Sequence, residues 1–256
     1  DPVHWYIPSF KDLRVFQAGE FPNFITSRPK RHMSIRDLLT HMSGLTYGFM
    51  YRTNVDSAYR KINSQAPKNL DDFIEAVSKM PLEFSPGDKW NYSISTDVLG
   101  YLVEQISGLK LDEYFKKYIF EPLGMVDTDF TCPKEKLDRL ASLYEHNPSG
   151  EPRFMETPAL DVTYLSGGGG LFSTMSDYYQ FASMLLNQGE LNGKRIIGRK
   201  TIELMTTNHL PDGKDLTEMS ESAFSETPYA GVGFGLGFSV MLDPAKSQTL
   251  SDIGEF

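Results

Sequence analysis

Phe84-Ser85-Pro86-Gly87-Asp88-Lys89-Trp90-Asn91-Tyr92-Ser93-Ile94-Ser95-Thr96-Asp97-Val98-Leu99-Gly100 is the stretch on which the fold turns. Ser85-Pro86-Gly87-Asp88 carries turn residues: proline presets φ and glycine tolerates positive φ. Beyond Tyr92, the residues Val98, Leu99, Leu102, Val103 and Ile106 recur at helical spacing and Gly108 follows, which predicts a helix with one buried face and a glycine cap. Tyr92 therefore stands in a loop just ahead of a buried helix. A tyrosine in that place ordinarily packs with its hydroxyl satisfied. Its other reading is chemistry.

Outward from this stretch the pattern is mainly helical. Upstream, Ser34-Ile35-Arg36-Asp37 fits a capping box with Asp in place of Glu, Leu38, Leu39 and Met42 follow, and Gly44 ends the segment. A helix from Asn69 places Leu70, Phe73, Ile74 and Val77 on one face and stops at Pro81. Downstream, a helix is expected from about Asp112 to Phe120, ahead of Pro122. A looped region runs from Cys132 to Leu165 and leads into four glycines. Thr174 or Ser176 then caps a helix carrying Phe181, Met184 and Leu185 that ends at Gly189, and a short helix covers about Lys200 to Thr207. From Gly231 to Leu242 the bulky residues Val232, Phe234, Leu236, Phe238, Val240 and Leu242 alternate mostly with glycine, the period of a strand. Its bare face marks the close approach of another backbone, a helix or a ligand, with tight helix packing as the ordinary reading. One strand is an incomplete sheet, so a helical subdomain set into an α+β domain is the expected architecture.

Composition narrows the function classes. The 256 residues hold 25 Lys+Arg against 34 Asp+Glu, for a net charge of −9. An acidic chain without a basic patch is a poor nucleic-acid binder, because phosphate contacts need clustered cations. No stretch approaches the roughly 18 apolar residues of a membrane span, and no leader peptide is visible. The single cysteine, Cys132, has no internal disulfide partner.

The common site motifs fail one after another. Gly167-Gly168-Gly169-Gly170 is followed by neither Gly-Lys-Ser/Thr nor a correctly spaced third glycine, so no nucleotide cofactor is expected, and the run reads as a turn with unusual backbone angles. The five histidines, His4, His32, His41, His146 and His209, are scattered without metal-ligand spacing, so no metal is expected. No Gly-x-Ser-x-Gly elbow exists. Ser-x-x-Lys, which sets an amine one helical turn from a hydroxyl, occurs twice. In Ser27-Arg28-Pro29-Lys30 the proline spoils the helical geometry, and in Ser107-Gly108-Leu109-Lys110 the glycine breaks it. Both read as chance matches.

Taken together, several stretches resemble, in order, the serine hydrolases related to class C β-lactamases, D-alanyl-D-alanine peptidases and family VIII esterases. They are Ser34-Ile35-Arg36-Asp37-Leu38-Leu39-Thr40-His41-Met42-Ser43-Gly44-Leu45, the opening stretch Phe84 to Gly100, Phe120-Glu121-Pro122-Leu123-Gly124-Met125-Val126-Asp127-Thr128, and Gly168-Gly169-Gly170-Leu171-Phe172-Ser173-Thr174 with Asp177-Tyr178. The resemblance covers nearly the whole chain. It implies an α+β fold of the β-lactamase/transpeptidase kind, with an antiparallel sheet flanked by helices and a helical subdomain. The sheet is expected to be incomplete in this chain. Residues 34–174 would be mainly the helical subdomain, and 175–256 the return to the α+β part.

The same resemblance implies the site. Tyr92 falls on the tyrosine that serves as general base. A phenol of pKa near 10 does so only beside a cation that stabilises phenolate, here a Ser-x-x-Lys ammonium. Ser93 follows as a substrate-binding residue. Tyr47 takes the place of a tyrosine that faces the pocket in the esterase branch, with core packing as its equal alternative. Position 94 is Ile, where the lactamases carry an amide-binding Asn, and Tyr-Ser-aliphatic is the esterase form. The family's Ser-x-x-Lys lies upstream of the stretch resembling Asp1-Pro2-Val3-His4-Trp5-Tyr6-Ile7-Pro8, and its Lys/His/Trp-x-Gly strand lies beyond Gly231 to Leu242. The chain is thus expected to be an internal fragment. It is expected to lack the nucleophile and half the oxyanion hole, and its partner to be a small-molecule ester. β-Lactamase, peptidase or acyltransferase action is the runner-up, and a catalytically silent binding protein the third reading. The oligomeric state is not legible, and the compartment is open, with the cytoplasm set slightly before the periplasm.

Overall fold

The computed structural model describes residues 1–63, 67–148, 150–156, 162–220 and 229–256. In chain order its main elements are β1 (Val15–Glu20), β2 (Asn23–Ser27), α1 (Ile35–Leu39), α2 (Asn54–Asn63), α3 (Leu70–Ser78), α4 (Ser95–Ser107) and α5 (Leu111–Phe115). After a π-helical turn at Lys116–Phe120 and a short α6 (Glu121–Leu123) come β3 (Leu143–Glu145), β4 (Arg153–Met155), α7 (Met175–Leu186), β5 (Glu190–Leu191), β6 (Lys194–Arg195), α8 (Arg199–Met205), α9 (Leu216–Met219), β7 (Val232–Phe234) and β8 (Ser239–Met241). Among the described residues the strands form four antiparallel two-stranded ladders between sequence neighbours, and β1 is joined further by a parallel bridge from Val15 to Leu82. This is an α+β chain. No described helix is long and apolar enough to cross a membrane.

Several helices start where the side chains dictate. At α1 the Ser34 hydroxyl accepts the Asp37 N–H, and the Asp37 carboxylate accepts the Ser34 N–H in return. Arg31 closes a two-pronged ion pair on the same carboxylate at 2.6 and 2.8 Å. At α3 the Asn69 side chain accepts the Asp72 N–H, and at α7 the Thr174 hydroxyl accepts the Asp177 N–H. Gly108, at φ 71, ends α4.

The main core gathers Ile7, Phe10, Leu38, Leu45, Phe73, Val77, Ile94 and Val98. It joins the N-terminal turns, α1, α3 and α4. A second core of Met42, Trp90, Leu210, Leu216 and Met219 carries Tyr92, Val232 and Phe234 on its flank. It ties the residue 84–92 loop to α9 and the last hairpin, and a backbone bond from Trp90 N–H to Met219 O at 3.0 Å reinforces the tie.

Three expectations are corrected. Gly231 to Leu242 is not one strand but a hairpin: β7 and β8 pair antiparallel, and Gly237 turns between them at φ 96. Its bare side meets protein, since a Cβ on Gly235 would lie 2.1 Å from the Met205 carbonyl at the end of α8, and one on Gly233 2.6 Å from Asn208. Helix α2 is the second departure: Val55, Ala58, Tyr59 and Ile62 stand at helical spacing amid polar residues, and Val55, Ala58 and Tyr59 are buried. Within the stretch read as loop, β3 and β4 form a ladder exposed on both faces; residues 149 and 157–161 of that stretch lie outside the described residues.

Candidate active site

Two segments about fifty residues apart in sequence are fastened side by side, and Tyr92 sits on the seam. Residues 41–45 leave α1 in an unusual course: His41 takes left-handed backbone angles at φ 55, and Gly44 lies at φ 84. Opposite them run residues 83–95. Glu83 N–H donates to Gly44 O at 2.7 Å, Gly87 N–H to Met42 O at 2.8 Å, and Asn91 N–H to His41 O at 2.9 Å. Asn91 is wholly buried. Its amide nitrogen donates to Leu45 O at 2.9 Å, and its amide oxygen accepts from Arg52 at 2.9 Å. The loop carrying Tyr92 is thus held by backbone on one side and by a satisfied amide on the other.

Tyr92 is half-buried between two rings. The His41 imidazole lies 5.0 Å from it, centroid to centroid, and the Tyr47 ring 5.2 Å. Tyr47 stacks in turn on the exposed Phe49 at 4.7 Å. The Tyr47 hydroxyl interacts with those of Thr96 and Tyr92, and burial, then the nearby Asp97 charge, push its pKa up. Tyr47 therefore stays a neutral phenol able to donate. The Tyr47 ring packs against the main core, and its hydroxyl lies among Tyr92, Thr96 and Gly168.

The glycine run completes the rim. A Cβ on Gly167 would lie 2.2 Å from the Thr96 carbonyl and 3.0 Å from Gly100, so backbone crosses backbone there. The Asp97 carboxylate, in the first turn of α4, accepts from Tyr164 at 3.1 Å and from Ser166. These bonds hold Gly168 against the Tyr47 hydroxyl, which a Cβ on Gly168 would approach to 3.1 Å.

Ser93 departs from its expected place. It is wholly buried, and its hydroxyl is engaged by His41 Nδ1 at 3.2 Å and Ser95 Oγ at 2.8 Å, so it lies behind Tyr92 rather than on the open side. Ile94 is buried in the main core, so position 94 offers no polar group to a ligand. Neither Ser-x-x-Lys match has a free pair. Lys30 is ion-paired with Asp88 at 2.9 Å, Lys110 with Glu104 at 3.0 Å, and the Ser107 hydroxyl donates to the Val103 carbonyl at 2.6 Å. Sequence reasoning passed over His41, Ser43, Ser95 and Asn91. Their signal was present as His41-Met42-Ser43 and Asn91-Tyr92-Ser93-Ile94-Ser95, but the pairing of the two runs is a tertiary fact.

Burial alone pushes the His41 pKa down to about 4. The unfolded chain takes up a proton near 6.5 and the native state does not. His41 thus costs nothing above pH 7, and stability falls as pH drops from 6.5 toward about 4, by about 3 kcal/mol in all. In urea titrations at stepped pH, His41→Asn should lose less stability than the parent across this window. Parallel pH curves for the two proteins would show that His41 does not resist protonation.

Comparison with known proteins identifies the family. Residues 1–250 match the family model described as Beta-lactamase. Protein Rv1367c of Mycobacterium tuberculosis is 34% identical over 98% of this chain and 62% of its own length. Lovastatin esterase of Penicillium rubens is 30% identical over 90% of this chain and 59% of its own. Among solved structures, EstCE1, described as a hydrolase with promiscuous acyltransferase activity, superposes with a TM-score of 0.74 at 25% identity, covering 99% of this chain and 65% of that one. The chain spans about three fifths of the length of the curated relatives it matches. With residues 1–250 matched by that family model, the chain belongs to the β-lactamase family of serine hydrolases.

Proposed function

We propose that the complete protein hydrolyses carboxylic esters through a serine acyl-enzyme, with Tyr92 as the general base. The observation that carries this reading is the setting of Tyr92: a half-buried phenol on a clamped loop, between a neutral imidazole and a second phenol held protonated. In this reading Tyr92 as phenolate takes the serine proton while the Oγ–carbonyl bond forms, then hands it to the departing alkoxide as the ester C–O bond breaks. The cation this reading places beside the phenol is a Ser-x-x-Lys ammonium. Lys30 and Lys110 are committed to carboxylates, so this reading draws the serine and its lysine from outside these residues. Tyr47, as a neutral donor, supports the Tyr92 oxygen when it carries charge.

Ester rather than amide specificity is favoured by the burial of Ile94 in the core. A pocket without a hydrogen-bonding group at that position has nothing with which to select an amide. The name of the lovastatin esterase points the same way. The test sets hydrolysis of short p-nitrophenyl esters against a chromogenic cephalosporin, using the complete protein. Ester turnover well above lactam turnover is expected. The reverse order would make the protein a β-lactamase, and turnover of neither would favour a silent binding protein.

A further inference from the structure

Ser43, Ser93 and Ser95 are each fully buried, and their hydroxyls form one unbroken line ending on His41. Ser43 Oγ lies 2.8 Å from Ser95 Oγ, Ser95 Oγ 2.8 Å from Ser93 Oγ, and Ser93 Oγ 3.2 Å from His41 Nδ1. Three hydroxyl protons serve three links, so the direction of the line can be derived. The Leu45 N–H already donates to Ser43 Oγ at 3.1 Å. Were Nδ1 protonated, it would donate to Ser93, each hydroxyl would donate onward, and the Ser43 proton would end buried with no acceptor among the described residues. With Nδ1 bare, Ser43 donates to Ser95, Ser95 to Ser93 and Ser93 to Nδ1, and all three hydroxyl protons are used. The line spans both halves of the seam, because Ser43 and His41 belong to one segment and Ser93 and Ser95 to the other.

Resting on the reading of Tyr92 as base, we propose that the Ser43–Ser95–Ser93–His41 line, with Nδ1 of His41 as its terminal acceptor, is a positioning device that sets the Tyr92 phenol. His41 and Ser93 are positioning residues in it, and Ser93 is not a contact for substrate. Ser93 follows Tyr92 in the chain, and the His41 ring lies against the Tyr92 ring, so the bond between Ser93 and His41 closes a bracket around the phenol. Breaking the bracket leaves the base in place but free to tilt. Small misplacements of that kind are felt in turnover more than in binding.

The experiment is a double-mutant cycle in the complete protein with p-nitrophenyl butyrate, joined to nitrogen NMR of the His41 ring. Ser93→Ala should lower kcat about tenfold and leave KM within about twofold. Added to Tyr92→Phe, it should cost nothing further, because there is no longer a base to position. The His41 spectrum of the parent should show Nδ1 unprotonated and Nε2 protonated. Equal losses from Ser93→Ala in the parent and in Tyr92→Phe would mean a merely structural role and overturn the proposal. A protonated Nδ1 would overturn it also, whatever the kinetics or the folding of the variants. A Tyr92→Phe protein as fast as the parent is a different result: it refutes the base reading, and the bracket then has no catalytic role.

Discussion

Tyr92→Phe is expected to lower kcat/KM for ester hydrolysis by the complete protein roughly a thousandfold, the scale of a lost general base. The fold should not register the change. The ring keeps its contacts with His41 and Tyr47, and only a half-buried hydroxyl is removed. The loss should appear in the acylation step, as a slower burst of p-nitrophenol at an unchanged unfolding midpoint. A variant within tenfold of the parent would mean that another group takes the serine proton.

The second large effect falls on stability. Gly44→Ala should destabilise the protein by about 3–4 kcal/mol, from left-handed backbone strain together with overpacking. Gly44 lies at φ 84, and a Cβ there would stand 2.3 Å from the Phe84 carbonyl oxygen and 3.1 Å from the Leu82 side chain. The first of these neighbours is backbone, which cannot rotate away. The only relief is to part residues 42–45 from 83–87, which also loosens the Tyr92 loop. A thermal midpoint lowered by roughly 10 °C is expected, with ester turnover reduced even where the variant remains folded. A shift of a degree or two would mean that the two segments do not meet as closely as described.

What the sequence disclosed follows the range of the forces involved. Local signals were read well. The Ser34/Asp37 capping box, the Asn69 and Thr174 caps and the Gly108 stop lie within a few residues of the elements they bound, and all stand where expected. Elements with weak local signals were lost. Strands β1 and β2 carry few buried side chains, and the apolar stripe of α2 is set among charged and polar residues. The alternation in Gly231 to Leu242 suggested a single strand, because period two persists through a turn whose glycines keep the pattern.

The candidate site divides in the same way. Tyr92 and Tyr47 were named from their places in motifs, and the fold brings their rings to 5.2 Å. Ser93 was misplaced because nothing local says where its hydroxyl points. Its partner His41 is 52 residues away. Nor could His41 be singled out by spacing: it looked like one of several scattered histidines until the seam set it beside Tyr92.

The central claim is that these residues carry the base of a serine acyl-enzyme site whose nucleophile is neither Ser27 nor Ser107. Fluorophosphonate labelling of the complete protein, read by intact mass and peptide mapping, tests it most directly. The account predicts one stoichiometric adduct, on a serine outside these 256 residues, forming far more slowly in Tyr92→Phe. An adduct on Ser27, Ser107 or any other serine of this chain, or no adduct at all, would contradict it.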